Sequence, residues 1–332
     1  MEAPTPAAGA VEPAVHVRGL VKRYGEVTAV DGIDLDVHKG ETFGFLGPNG
    51  AGKSTTISIL CTLARPSEGS ARVAGHDVVT ERDEVRRHIG LVFQDTTLDQ
   101  YLTAERNLRF HAELYGVPRD LLDDRLRKVL EMVGLWERRG SKVQNFSGGM
   151  KRRLEIARGL LHSPRVLFLD EPTVGLDPQT RLSIWGYIDE LRQTEDITIF
   201  LTTHYMDEAE NCDRIAIMDA GRVIALDTPA GLKASLGTDT VRLRTPDDAV
   251  AAEDLRDRFQ LDPTVGSEGI TVGVPDGEGF VPTVVTGLRV PVTSISVSRP
   301  TLDDVFLSYT GRTIRDAEQA PGMTNPFAQT RR

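Results

Sequence analysis

The run Gly47-Pro48-Asn49-Gly50-Ala51-Gly52-Lys53-Ser54 fits G-x-x-x-x-G-K-[ST] at every fixed position. It follows an apolar stretch at 42–46 that reads as a strand and opens a segment at 54–61 that reads as a helix, the context this pattern requires. Glycines let backbone N–H groups converge on phosphate oxygens, and the helix N-terminus adds the positive end of its dipole. In such a loop Lys53 reaches the β- and γ-phosphates and the Ser54 hydroxyl ligates Mg²⁺. Thr55 completes the expected nucleotide-binding set, so the expected ligands are a nucleoside triphosphate and Mg²⁺.

A matching second half lies downstream. The apolar strand 166–169 (Val-Leu-Phe-Leu) ends in Asp170 and Glu171. Asp170 is placed to hold Mg²⁺, and Glu171 is next in line as the base that polarises an attacking water. Near-continuous apolar runs at 166–169, 198–201 and 214–218 suit strands buried on both faces, hence an α/β core. Residues 98–162 read instead as successive helices, including 104–115 and 119–133, inserted between strands.

Composition narrows the partners. With 39 basic and 49 acidic residues the net charge is −10, against broad nucleic-acid binding, which needs clustered Lys and Arg. Cys61 and Cys212 have no Cys or His in metal spacing, which favours two small buried residues in a reducing compartment. No stretch approaches the roughly 18 apolar residues that a bilayer span requires, so work at a membrane calls for a second chain. Residues 1–14 carry no targeting pattern and read as a disordered tail.

Between the two halves stands Phe146-Ser147-Gly148-Gly149-Met150-Lys151-Arg152-Arg153. Here the sequence resembles the ATP-binding-cassette proteins, whose signature is L-S-G-G-Q followed by basic residues. Phe146 and Met150 depart from that pattern and leave the Ser-Gly-Gly donors intact. The resemblance covers roughly 15–226, with the motifs in the family's order. It implies a P-loop NTPase cassette, with a RecA-like core, an antiparallel β subdomain and the helical insert. It implies also that two cassettes close head to tail, with Ser147, Gly148 and Gly149 contacting the γ-phosphate bound by the other subunit. By the same resemblance Tyr24 stacks on adenine, Gln94 contacts Mg²⁺ or water and links to the helical insert, Asp177 communicates across the dimer, and His204 contacts the γ-phosphate.

After residue 229 the pattern becomes that of a small α+β domain. Strands are expected at 240–243, 270–274 and 294–298, with a helix at 247–259. A second helix at 301–309 starts on a capping-box pair, Thr301 and Asp304, places Leu302, Val305, Phe306 and Tyr309 on one face, and stops at Gly311. The expected organisation is therefore a tail (1–14), a cassette (15–228) with its helical part at 98–162, an accessory domain (229–312) and a flexible tail (313–332). The run Arg299-Pro300-Thr301-Leu302-Asp303-Asp304-Val305-Phe306-Leu307 and the Met-Lys-Arg-Arg variant of the signature resemble the daunorubicin-resistance type of ATP-binding subunit. That resemblance implies a homodimeric motor at the cytoplasmic face of the membrane, exporting hydrophobic drugs through a separate permease without touching the cargo. Export of a lipid or polysaccharide, import of a nutrient, and a cytosolic ATPase acting on DNA or ribosomes are the alternatives.

Overall fold

The computed structural model describes residues 12–266, 269–312 and 314; the tails expected at the two termini fall largely outside these residues. The described chain divides into two compact units, with the break between Leu226 and Asp227, two residues before the expected boundary.

In the first unit a six-stranded sheet runs in the order Arg222–Asp227, Arg214–Asp219, Thr42–Leu46, Thr198–Thr203, Val166–Asp170, Ile89–Val92. The last five of these pair in parallel. Every residue of Thr42–Leu46, Val166–Asp170 and Thr198–Thr203 is buried, which is why these strands read as unbroken apolar runs. Phe43, Phe45 and Phe168 cluster around Phe200 with ring centroids 5.4–5.6 Å apart. Each such buried ring contributes roughly 1.5–3 kcal/mol. The register pairs Leu46 with Thr203, Asp170 with Thr202, and Val92 with Leu169. The carboxyl ends of four strands are thereby level, and in a parallel sheet that edge is where ligands bind.

A four-stranded antiparallel sheet runs in the order Val27–Val37, Val15–Tyr24, Glu68–Val73, His76–Asp77. The expected helical insert contains the helices Ala104–Leu114, Arg119–Met132 and Gly148–Leu160.

The second unit holds a four-stranded antiparallel sheet in the order Thr264–Gly266, Gly269–Val274, Asp239–Arg244, Ser294–Ser298. The helices Asp248–Phe259 and Gly277–Gly287 connect its strands, a split β-α-β arrangement. The sequence reading contained neither the second of these helices nor the short strand Thr264–Gly266. The helix has Pro282 inside it and four of its eleven residues are Gly or Pro, a composition that hides helical periodicity. Helix Leu302–Thr310 does begin on a complete capping box between Thr301 and Asp304, and it ends at Gly311 with φ +71°. It packs on helix Pro229–Ser235, and its Leu302, Val305 and Phe306 are buried. Tyr309, expected on that face, is half exposed.

Candidate active site: a nucleotide site at the strand ends

The loop after strand Thr42–Leu46 is built at distances only glycine permits. A Cβ on Gly47 would lie 2.2 Å from the Met218 carbonyl oxygen, and one on Gly52 2.3 Å from that of Ala29. Gly50 and Gly52 also have φ of +83° and +107°, where side chains are strained. Gly52 caps helix Lys53–Leu60. The Lys53 ammonium folds back over the loop, donating to the carbonyls of Gly47 at 2.6 Å and Pro48 at 3.1 Å. It also lies 3.4 Å from Glu171 Oε1. Asn49 and Gly50 form the exposed crest of the loop.

Two other strand ends converge on Glu171, which itself follows strand Val166–Asp170. Gln94, two residues past Val92, donates its amide to Glu171 Oε2 at 3.2 Å. His204, which follows Thr203, places Nδ1 3.4 Å from Glu171 Oε1. Glu171 is only 6% exposed and has φ of +46°, an uncommon conformation for a residue with a side chain. Burial pushes its carboxyl up, but the His204 hydrogen bond and the Lys53 charge outweigh that and hold it below the usual glutamate value. Asp170 goes the other way. Burial raises it, against hydrogen bonds from Thr202 at 2.6 Å and Ser54 at 3.1 Å. Adjacent carboxylates thus sit in opposed environments, the usual sign of divided chemical labour. The Ser54 hydroxyl and Asp170 carboxylate, 3.1 Å apart, form an oxygen donor pair that fits a hard divalent cation such as Mg²⁺.

Ser147, Gly148, Gly149 and Asp177 form a second group. Ser147 caps helix Gly148–Leu160 by accepting from the Met150 N–H at 3.3 Å. A Cβ on Gly149 would lie 2.3 Å from Thr180 Cγ2, and Thr180 donates its N–H and hydroxyl to Asp177. The signature and the Asp177 turn are therefore neighbours. Tyr24 ends strand Val15–Tyr24 and carries the Lys22 ammonium 4.7 Å from its ring centroid. Its partner strand, Val27–Val37, touches the phosphate loop at Ala29.

Two buried charges that hold this geometry were not among the expected site residues. Arg152 donates to the carbonyls of Pro172 at 2.6 Å, Asp170 at 3.0 Å and Phe93, and pairs with Glu155 at 3.3 Å. Glu208 accepts hydroxyl bonds from Thr203, at 2.6 Å, and Thr173, tying the His204 loop to the Glu171 turn. Arg152 stands in the basic triplet after the signature, a faint signal. No local pattern marks Glu208.

A strand–glycine loop–helix unit facing a strand that ends in paired carboxylates defines a nucleoside-triphosphate-binding ATPase. Residues 30–174 match the sequence model of the ABC transporter family. The chain is 42% identical over 321 residues to the daunorubicin/doxorubicin resistance ATP-binding protein DrrA of Streptomyces peucetius, covering 91% of this chain and 94% of that one. It is 39% identical to the linearmycin resistance ATP-binding protein LnrL of Bacillus subtilis, covering 91% of this chain and 100% of that one. Among solved structures it is similar to cbiO1 from Clostridium perfringens, part of the ABC transporter complex cbiONQ, with a TM-score of 0.64 and 30% identity over 68% of this chain and 92% of that one. It is similar also to the dimeric post-hydrolysis state of the cassette MJ0796 bound to ADP and Pi, with a TM-score of 0.58 and 28% identity over 64% of this chain and 98% of that one. The chain belongs to the ABC transporter family, as an ATP-hydrolysing ATP-binding subunit. Among its described residues no helix is long and apolar enough to cross a membrane.

Proposed function

We propose that this chain is the motor of an exporter of hydrophobic drugs or antibiotics. It works as a homodimer that drives a separate permease from the cytoplasmic face of the membrane. The observation that carries the hydrolytic part is the environment of Glu171, a buried carboxylate kept ionised by Lys53 and His204 and contacted by Gln94. The export part is supported by the likeness to two resistance ATP-binding proteins over nine-tenths of the chain.

In this reading the loop Gly47, Pro48, Asn49, Gly50, Ala51 and Gly52 offers backbone N–H groups to the phosphates of ATP. Lys53 neutralises the β- and γ-oxygens, Thr55 adds a contact at the helix start, and Tyr24 stacks on the base. Ser54, Asp170 and Gln94 would hold Mg²⁺, which when bound supplies charge neutralisation on the phosphate oxygens. Water attacks the γ-phosphorus, its proton passes to Glu171, and the bond to the β–γ bridging oxygen breaks to release ADP. His204 orients the γ-phosphate. Ser147, Gly148 and Gly149 close on the partner's ATP, with Asp177 at the same seam. The differing stability of the dimer with ATP and with ADP drives the permease. The exposed apolar side chains of Phe110 and Leu114 on the helical insert, with Tyr101 beside it, suit contact with the permease.

The test uses Glu171→Gln on the full chain. Turnover should fall by about 10²–10⁴-fold, the usual worth of a positioned base, while ATP binding persists and ATP traps a dimer. Phosphate release at the unsubstituted rate removes Glu171 from the base role. In mixed dimers of Ser147→Arg and Lys53→Ala subunits one site carries both lesions and one carries neither, so up to about half the activity should return. Mixed dimers as inactive as either homodimer would count against sites shared between subunits. Drug efflux restored in cells by chain plus permease, and not by the Glu171→Gln variant, tests export.

A further inference from the structure

Away from the nucleotide site, His76, Glu84 and His88 each place one ligating atom within 4.8 Å of the other two. His76 stands on the short strand His76–Asp77 of the antiparallel sheet. Glu84 and His88 are four residues apart on helix Arg82–His88, and so share a face. The two imidazoles lie almost parallel, with centroids 5.1 Å apart and planes 19° apart. Both are only partly exposed.

The hydrogen bonds at the rings decide which nitrogen is available. His88 Nδ1 is 2.8 Å from the Glu84 backbone carbonyl, which can only accept, so Nδ1 carries the proton. His76 Nδ1 is 3.2 Å from Glu81 Oε1, and an ionised carboxylate likewise only accepts. In the neutral rings both Nε2 atoms therefore present lone pairs. An Nδ1–H held by a carbonyl or a carboxylate is the arrangement that orients metal-bound imidazoles and raises their basicity. Glu81 is itself fixed by the Asp77 N–H at 2.9 Å. Glu84 pairs through Oε1 with Arg87 at 2.6 Å, which leaves its second oxygen for a ligand.

We propose that His76, Glu84 and His88 form a binding site for a divalent transition cation of the Zn²⁺ class, which staples the sheet edge to the helix Arg82–His88. Two imidazoles and one carboxylate select such a cation over Mg²⁺ or Ca²⁺, which take oxygen donors. Three protein ligands leave the fourth tetrahedral position to water. Tetrahedral bonds of about 2.0 Å set ligand atoms roughly 3.3 Å apart, so small ring rotations and a Glu84 rotamer change close the site. The stapled helix leads directly into strand Ile89–Val92, two residues before Gln94, so the site lies on the element that carries a nucleotide-site residue.

The experiment titrates the chelator-treated full chain, without nucleotide, with Zn²⁺ by calorimetry and thermal melting, and with Co²⁺ by visible absorption. The expected result is one equivalent of Zn²⁺ that raises the Tm, and the intense d–d bands of tetrahedral Co²⁺. His76→Gln and His88→Gln should each weaken that site at least about tenfold, and the double substitution should abolish it. His38→Gln, an exposed histidine elsewhere, should leave it unchanged. Because the nucleotide site is common to all these proteins, the difference between them reports only this cluster. Zn²⁺ binding retained by the double variant, or no binding at about 100 µM free Zn²⁺, overturns the proposal.

Discussion

Arg152→Met is the sharpest test of how the nucleotide site is held in shape. Arg152 is 6% exposed and its partner Glu155 1%. Its guanidinium reaches three carbonyls on two loops that share no sequence neighbourhood with it: Phe93, one residue before Gln94, and Asp170 and Pro172, which flank Glu171. Glu155 in turn accepts the Thr97 N–H at 2.8 Å. Methionine fills much of the volume but leaves a buried carboxylate and three carbonyls short of donors. Breaking a buried pair costs about 3–5 kcal/mol, and for a domain of this size each kcal/mol lowers Tm by roughly 2–4 °C. The cassette should therefore melt about 6–20 °C lower by scanning fluorimetry. Turnover should fall further than ATP affinity, because Arg152 touches the Gln94 and Glu171 segments and no residue of the phosphate loop. Arg152→Met with Glu155→Met should recover most of the stability, since removing both charges removes the unpaired one, yet turnover should stay low. A Tm within about 2 °C of the parent, with normal turnover, would refute the claim that Arg152 braces these loops.

Asp170→Asn should be at least as stable as the parent without nucleotide at pH 7 and should lose turnover. Burial raises this carboxyl, so the native fold favours its protonated form and at neutral pH carries its charge at a cost; a clear fall in Tm contradicts this. His111 is pushed down to about 3 by burial, with Arg158 and His162 adding to the effect. The fold therefore keeps it neutral, and its contribution is present above pH ~6.5 and lost as pH falls toward 3. Denaturant melts at pH 6.5 and 5 should differ by up to about 2 kcal/mol more in the parent than in His111→Phe, and equal differences would exclude the linkage. Phe306→Ala empties a fully buried position and should cost the second unit about 3–5 kcal/mol. Nucleotide affinity should be unaffected, because every nucleotide-site residue precedes Asp227; a fall in affinity in a folded variant would contradict that separation.

The parts of this protein legible in its sequence are those encoded over short spans. The phosphate loop is contiguous, and the run from Val166 to Glu171 is six apolar or acidic residues that need no partner to be recognised. Helix Leu302–Thr310 announces both ends through Thr301, Asp304 and Gly311. Helix Gly277–Gly287 could not be read this way, because its glycines and Pro282 give no helical preference, and it is packing of Val284 and Phe280 on the second core that settles it. Tyr309 falls on the expected arc of its helix, yet burial is limited to Leu302, Val305 and Phe306 and leaves Tyr309 half exposed. The site divides along the same line. Residues expected to face phosphate belong to motifs, whereas those that brace the motifs act across 59 positions, from Arg152 to Phe93, or 35, from Glu208 to Thr173. A single sequence carries no mark of such a pair.

The position of Lys53 links binding to chemistry. Its ammonium is shared between two loop carbonyls and Glu171, and its charge is one of the influences that keep Glu171 below the ordinary glutamate value. A triphosphate in the loop is a stronger partner than neutral carbonyls, because hydrogen bonds to ionised groups are roughly twice as strong. As the ammonium turns toward phosphate, Glu171 shares its counter-charge with a more anionic group, while the burial that raises its carboxyl persists. In the proposed mechanism its proton affinity therefore rises as nucleotide arrives, which is the direction a general base requires. His204, 3.4 Å from the same carboxylate, is the second group that orients it, so in the proposed mechanism a stronger base need not be a looser one.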